Sequence, residues 1–169
     1  MDALEAIFNR RSIRSYLSKD IPNELLDLLL KAAMYAPSAR NTQSWQFMVI
    51  RERRLLDAVM KVHPYAAMLK EAPLAILVCG DKNAEPDEAY LNQNCSAATQ
   101  NILLAAYSLG LGTVWLGVYP RKERVEGIRG VFDLPDHIVP VTLIAAGYPN
   151  EVKPMPERFV PEKIHLNTW

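Results

Sequence analysis

The sequence predicts a single domain built from both helices and strands, and three observations carry that expectation. Half of the 169 residues are hydrophobic, enough apolar material for one substantial core. Four apolar, strand-like runs alternate with segments of helical periodicity, an order that permits a doubly wound parallel sheet. No Gly-x-Gly-x-x-Gly follows any of the four runs, however, so a Rossmann-type dinucleotide site has no local support.

In chain order, Leu4, Ile7 and Phe8 recur at helical spacing and predict a short amphipathic helix over residues 2–10 with its apolar face inward. Ile21-Pro22-Asn23-Glu24 reads as a helix start with Asn23 as cap, and the helix runs over 24–35 until Pro37 stops it. Leu25, Leu26, Leu28, Leu29, Leu30, Ala32 and Ala33 leave it little polar face, so burial on more than one side is expected. Residues 45–50 read as a strand. The charged run Arg51-Glu52-Arg53-Arg54 then reads as the solvated entry to a helix over 55–62. The unbroken apolar run over 74–79, bounded by Pro73 and Gly80, suits a central strand buried on both faces.

Residues 89–120 contain no formal charge at all. A membrane span is excluded by Asn92, Gln93, Asn94, Gln100 and Asn101 in its middle and by Gly110 and Gly112 near its end. About the first twenty residues fit a helix whose seam is Leu91, Cys95, Ala98, Ile102, Ala105 and Leu109. Lacking a Lys- and Glu-bearing outer face, it is expected at the centre of the domain or in a subunit interface. Residues 113–118 read as a strand, 121–132 as a charged amphipathic helix and 139–148 as a further strand. Beyond them Pro149, Pro154, Pro156 and Pro161 favour an extended arm, whose Phe159, Val160, Ile164, Leu166 and Trp169 call for a surface to cover.

Nineteen basic residues balance nineteen acidic ones, so bulk electrostatics point to neither a nucleic acid nor a membrane. Cys79 and Cys95 form no CxxC pair and lie in apolar surroundings, as buried thiols of a reducing compartment do. Asp2 and Glu5 interrupt any signal pattern, and a cytoplasmic location is expected. His63, His137 and His165 lie far apart with no ligand spacing, so no metal site is expected. Neither a Gly-x-Ser-x-Gly elbow nor a Walker loop occurs.

Against that quiet background two stretches stand out. Asn9-Arg10-Arg11-Ser12-Ile13-Arg14-Ser15-Tyr16 gathers guanidinium forks and hydroxyls suited to phosphate or carboxylate oxygens. Pro37-Ser38-Ala39-Arg40-Asn41-Thr42-Gln43-Ser44-Trp45 follows one expected helix later. With Leu109-Gly110-Leu111-Gly112-Thr113-Val114-Trp115-Leu116-Gly117 and Ala146-Gly147-Tyr148-Pro149, these four motifs, in this order over nearly the whole chain, resemble the nitroreductase family of FMN-dependent oxidoreductases.

The resemblance implies an α+β fold, with a mixed, mostly antiparallel sheet flanked by helices. It implies one FMN-binding domain over 1–169, of which 149–169 form an extended C-terminal arm on the partner subunit. It further implies a homodimer with flavin sites at the interface, and NADH or NADPH as reductant. Electrons would leave for small nitroaromatic or quinone-type acceptors in a ping-pong cycle. Cofactor-binding positions carried over are Arg10, Arg11, Ser12 and Arg14 for phosphate and ribityl, with Arg10 also reaching the ring edge. Ser38, Asn41 and Gln43 would contact the flavin of the neighbouring subunit, Trp115, Leu116 and Gly117 would lie against the ring, and Arg158 would meet the phosphate, with Lys153 as substitute. Ala39 departs from relatives that carry a second Ser there. No catalytic side chain is implied, because the flavin carries the chemistry. Two alternatives remain open: a specialised flavoenzyme of the dehalogenase or flavin-fragmenting type, and a dimeric flavin-binding protein without turnover.

Overall fold

The computed structural model describes residues 2–169. Four strands, β1 (Trp45–Ile50), β2 (Leu74–Asp81), β3 (Gly112–Gly117) and β4 (Ile138–Gly147), form one sheet in the order β1-β2-β4-β3. All three pairings are antiparallel, and the parallel element is a single bridge from Ser12 to Thr113 on the outer side of β3. The α+β, mostly antiparallel reading therefore holds, and the parallel alternative does not. The two inner strands, β2 and β4, are buried almost throughout, as the unbroken apolar run over 74–79 demands.

Alternation of side chains along β2 sends Leu74, Ile76 and Val78 to one face and Ala75, Leu77 and Cys79 to the other. The first face packs under α2 (Asn23–Met34) and α4 (Glu88–Ser108), the second under α3 (Arg53–Val62) and α5 (Lys122–Phe132). Burial raises the thiols of Cys79 and Cys95 to about 12, so both are inert core residues.

The helix expected in the uncharged run is α4, which adds only Glu88 before that run. Asp87 caps it, its carboxylate accepting the Ala89 and Tyr90 amides, and Gly110 at φ 74 follows its end. Its inner side buries Leu91, Cys95, Ala98, Ile102 and Ala106 against the sheet; of the seam expected from spacing, Ala105 and Leu109 are only partly buried, and Ala106 takes the inward place. Pro22, not Asn23, occupies the cap position of α2. That helix buries one side, with Leu26 and Leu29 inside and Leu28 48% exposed, against the expectation of burial on more than one side.

The larger correction concerns α1 (Ala3–Asn9). Only its Ala6 is buried, while Leu4, Ile7 and Phe8 are 61%, 50% and 59% exposed. The apolar stripe exists as the periodicity says, but it points away from the core of its own chain.

Candidate functional site

The Arg-rich segment after α1 runs as an extended strap between the outer edge of β3 and the start of the C-terminal arm. Ile13 N donates to Thr113 O at 3.0 Å, and Ile13 packs where a Cβ on Gly112 would collide with it. Tyr16, 4% exposed, donates its hydroxyl to Ile13 O at 2.6 Å and lies over Gly147. On the other side, Asn150 N donates to Ser15 O, Leu17 N to Tyr148 O, and the Arg14 amide to the Glu151 carboxylate. That last bond holds the Glu151 carboxyl below its usual range.

Within this strap the basic residues divide sharply. Arg11 donates to the carbonyls of Phe8, Arg10 and Pro154 at 2.8, 2.7 and 3.0 Å, closing the end of α1 and pinning the arm. Lys153 donates to Ser12 O at 2.8 Å and pairs with Glu151 at 3.2 Å. Arg10, Arg14 and Arg158 join none of the ion pairs among the described residues. Burial, then the charge of Arg158, then that of Arg11, lower the pKa of Arg10. The charges of Arg158 and Arg11 thus both act on Arg10.

The strap leads to the open edge of β3. Ile13 N bonds Thr113 O and Val118 N bonds Val141 O at 3.1 Å. Antiparallel alternation then turns the peptide groups of Thr113, Trp115 and Gly117 away from β4. A cleft of ≈ 450 Å³ opens along this edge, lined by Arg14, His63, Tyr65, Met68, Trp115 and Gly117 among others. Trp115 is 36% exposed there and Leu116 is buried behind it. A Cβ placed on Gly117 would meet nothing within 4 Å; packing within the chain does not require glycine at this point.

His63 and Arg124 bear on the same glycine. His63 Nε2 lies 3.0 Å from Gly117 O, and Arg124 Nη1 donates to that oxygen at 2.8 Å. Tyr65 N donates to His63 Nδ1 at 3.3 Å, which leaves the ring proton on Nε2. Burial first, opposed by the Gly117 bond and aided by the Arg124 charge, lowers the His63 pKa. These two residues carry no local motif; a contact to a carbonyl 54 positions away leaves no trace in sequence.

The second motif forms a tight loop before β1. Arg40, Asn41 and Gln43 adopt φ of 53°, 55° and 47°, a left-handed geometry that costs non-glycine residues energy and persists only where surroundings impose it. Asn94 of α4, 2% exposed, imposes it. Its Oδ1 accepts the Ala39 amide at 2.8 Å, and its Nδ2 donates to Thr42 Oγ1 and Ser44 Oγ at 3.1 Å each. Arg40 Nη2 donates to both oxygens of Glu85, at 2.7 and 2.8 Å; that carboxylate is fully buried and raises the Arg40 pKa. Ser38 Oγ accepts the Gln43 amide at 3.0 Å, and Gln43 Nε2 donates to Asn41 Oδ1 at 3.1 Å. Asn41 and Gln43 otherwise face solvent.

The two motifs do not meet within one chain. The loop feeds β1 at one edge of the sheet and the strap lies outside β3 at the other; three strand spacings, ~14 Å, lie between those edges. Neither the cleft beside Gly117 nor the smaller one beside Arg10 is lined by residues 38–43.

A four-stranded antiparallel sheet between helical layers, edged by an arginine-rich strap and a strained loop, places the chain among small α+β proteins. The family model described as "Nitroreductase family" matches residues 7–148, and the chain belongs to that family. A relative from Methanothermobacter thermautotrophicus, named "Putative NADH dehydrogenase/NAD(P)H nitroreductase", is 52% identical over 169 residues, covering 100% of this chain and 88% of the relative. A crystal structure of a protein of the same name from Parabacteroides distasonis aligns with a TM-score of 0.95 at 42% identity, covering 99% of this chain and 98% of that one. An FMN-dependent nitroreductase from Clostridium difficile aligns with a TM-score of 0.90 at 30% identity, over 98% of this chain and 99% of that one.

Proposed function

We propose that this chain is an FMN-dependent oxidoreductase that takes electrons from NADH or NADPH and passes them to nitroaromatic or quinone-type acceptors. One observation carries the proposal: Arg10 joins no ion pair among the described residues, feels the charges of Arg158 and Arg11, and lines a cleft at the Gly112 end of the same β3 edge whose Gly117 end, lined by Arg14, leaves open space. Like charges held together need an anion, and a phosphate supplies up to two negative charges with oxygens that fit guanidinium forks. A flat ring needs close approach to backbone donors, which a glycine without neighbours allows. The residues present therefore fit FMN.

In this reading Arg10, Ser12, Arg14 and Arg158 hold the phosphate and ribityl chain. Each charge-assisted bond contributes about 1.5–3 kcal/mol, so two or three account for micromolar affinity or better. Arg11 serves the same end indirectly, by holding the arm and the strap in register. Lys153, already engaged by Ser12 and Glu151, leaves the phosphate to Arg158. The outward peptide groups of Trp115 and Gly117 align the ring edge, with Leu116 as their buried support. Ser38, Asn41 and Gln43 reach the flavin from a second copy of the chain, because their edge of the sheet lies too far from the strap of their own. Residues 1–169 then act as one domain, with 149–169 as an arm that continues onto the partner. When bound, FMN supplies hydride acceptance and electron return. The protein supplies alignment and charge, and no His, Cys or carboxylate need titrate.

A single open edge serves donor and acceptor in turn, so turnover is expected to be ping-pong. Purified protein should release one FMN per chain on denaturation, NADH or NADPH should bleach the bound chromophore anaerobically, and double-reciprocal plots at several acceptor concentrations should be parallel. A protein that takes up no FMN overturns the proposal; intersecting plots overturn the ping-pong scheme alone.

A further inference from the structure

We infer that His63 and Arg124 are positioning residues that set the electron affinity of the flavin by clamping the Gly117 carbonyl. The inference rests on the proposed FMN site and goes one layer behind it. Gly117 is one of the residues whose peptide groups face the open edge of β3, and the one least constrained by side-chain packing. It carries no side chain, nothing lies within 4 Å of where one would be, and glycine resists torsional change less than any other residue. Only its carbonyl is fixed, and it is fixed twice, by a neutral imidazole donor at 3.0 Å and by a guanidinium at 2.8 Å.

Both donors are themselves held. The Tyr65 amide bonds His63 Nδ1 and so assigns the proton to Nε2. Arg124 projects from α5 and has the Tyr65 ring 5.1 Å from its carbon. The charged group facing His63 is Arg124, and burial together with that charge disfavours a second proton on the ring. His63 therefore stays a neutral donor while Arg124 brings the positive charge. Two donors on one carbonyl exceed what holding a strand end requires, since Val118 and Tyr119 already bond Val141 O. What the pair adds is a fixed Gly117–Val118 peptide and a cation beside the cleft that Trp115 and Gly117 line. Reduction adds negative charge to a flavin, so a preorganised dipole and a nearby cation bind the reduced form in preference to the oxidised one.

The test is the midpoint potential of bound FMN, measured with the affinity for oxidised FMN, in wild type and in four variants. Arg124→Met removes the charge and Arg124→Lys keeps it. His63→Phe removes the donor, and His63→Gln restores an amide donor near the place of Nε2. Arg124→Met should lower the preference for reduced over oxidised FMN about tenfold, a shift of ~30 mV to more negative potential for a two-electron couple. Its affinity for oxidised FMN should change by less than about threefold. His63→Phe should shift the potential in the same direction by a smaller amount, and His63→Gln and Arg124→Lys should return it toward wild type. A merely structural clamp would lower stability and flavin content without moving the potential. Flavin-loaded Arg124→Met and His63→Gln proteins with wild-type and non-wild-type potentials respectively would overturn the inference. A wild-type chain that takes up no FMN overturns the underlying function, and the clamp with it.

Discussion

Neighbouring arginines in the strap hold different posts because extended backbone sends successive side chains to opposite sides. Arg11 spends its donors on three carbonyls, whereas Arg10 faces Arg158 and no acid. Changing Arg10 to Ala should therefore weaken FMN binding about ten- to a hundredfold, the equivalent of one charge-assisted contact, with little change in thermal midpoint. Arg11→Ala should do the reverse, loosening the arm and lowering stability more than affinity. Fluorescence titration of FMN and thermal unfolding of both variants separate the two. That residues 10–14 gather candidate anion-binding side chains was legible from residue type and order alone. Which arginine serves the ligand was not, because that depends on the carbonyls of Phe8 and Pro154 and on the return of the arm, both fixed only by tertiary structure. For the same reason Arg158 is separated from Lys153 only once the chain is folded.

At the scale of elements, periodicity placed every strand and long helix to within a few residues, since the patterns at 45–50, 74–79 and 91–109 are each set by one continuous core contact. Strand order escaped it: β4 slots between β2 and β3, a pairing across long sequence separations that no local pattern encodes. The uncharged amides of α4 announced an unusual helix without disclosing their tasks. Asn101 donates to Ala32 O at the end of α2, and Asn94 builds the 38–44 loop. Replacing Asn94 by Leu keeps the volume and strands the Ala39 amide and the Ser44 hydroxyl without partners, a cost of about 1–3 kcal/mol for a buried group. Urea unfolding should show that loss. Because the left-handed residues Arg40, Asn41 and Gln43 then lose their scaffold, FMN affinity should fall even though Asn94 touches no ligand. Unchanged FMN affinity in a destabilised Asn94→Leu protein would mean the loop is not part of the site.

For the whole molecule, the outward stripe on α1 and the two separated motifs are both accounted for by the proposed homodimer. Leu4, Ile7 and Phe8 lie outward at 50% exposure or more, on a helix packed against α4, whose own outer side carries Gln93, Ala97, Gln100 and Leu104 and no charge. The arm adds Met155, Phe159, Ile164, Leu166 and Trp169, all more than half exposed. So much apolar surface on one small chain marks an interaction site, and in the proposed homodimer a second copy would cover it and supply the 38–43 loop to the strap of the first. Sedimentation equilibrium at micromolar concentration should give about twice the 19.1 kDa chain mass. Phe8→Lys, which places a charge in the apolar stripe, should dissociate the dimer, and deletion of the arm from Val152 onward should lower solubility. In both cases flavin should be lost, although Phe8→Lys leaves Arg10, Ser12 and Arg14 intact. A folded Phe8→Lys monomer that retained FMN at wild-type affinity would show that one chain suffices, and the site would then have to be built from the strap and β3 alone.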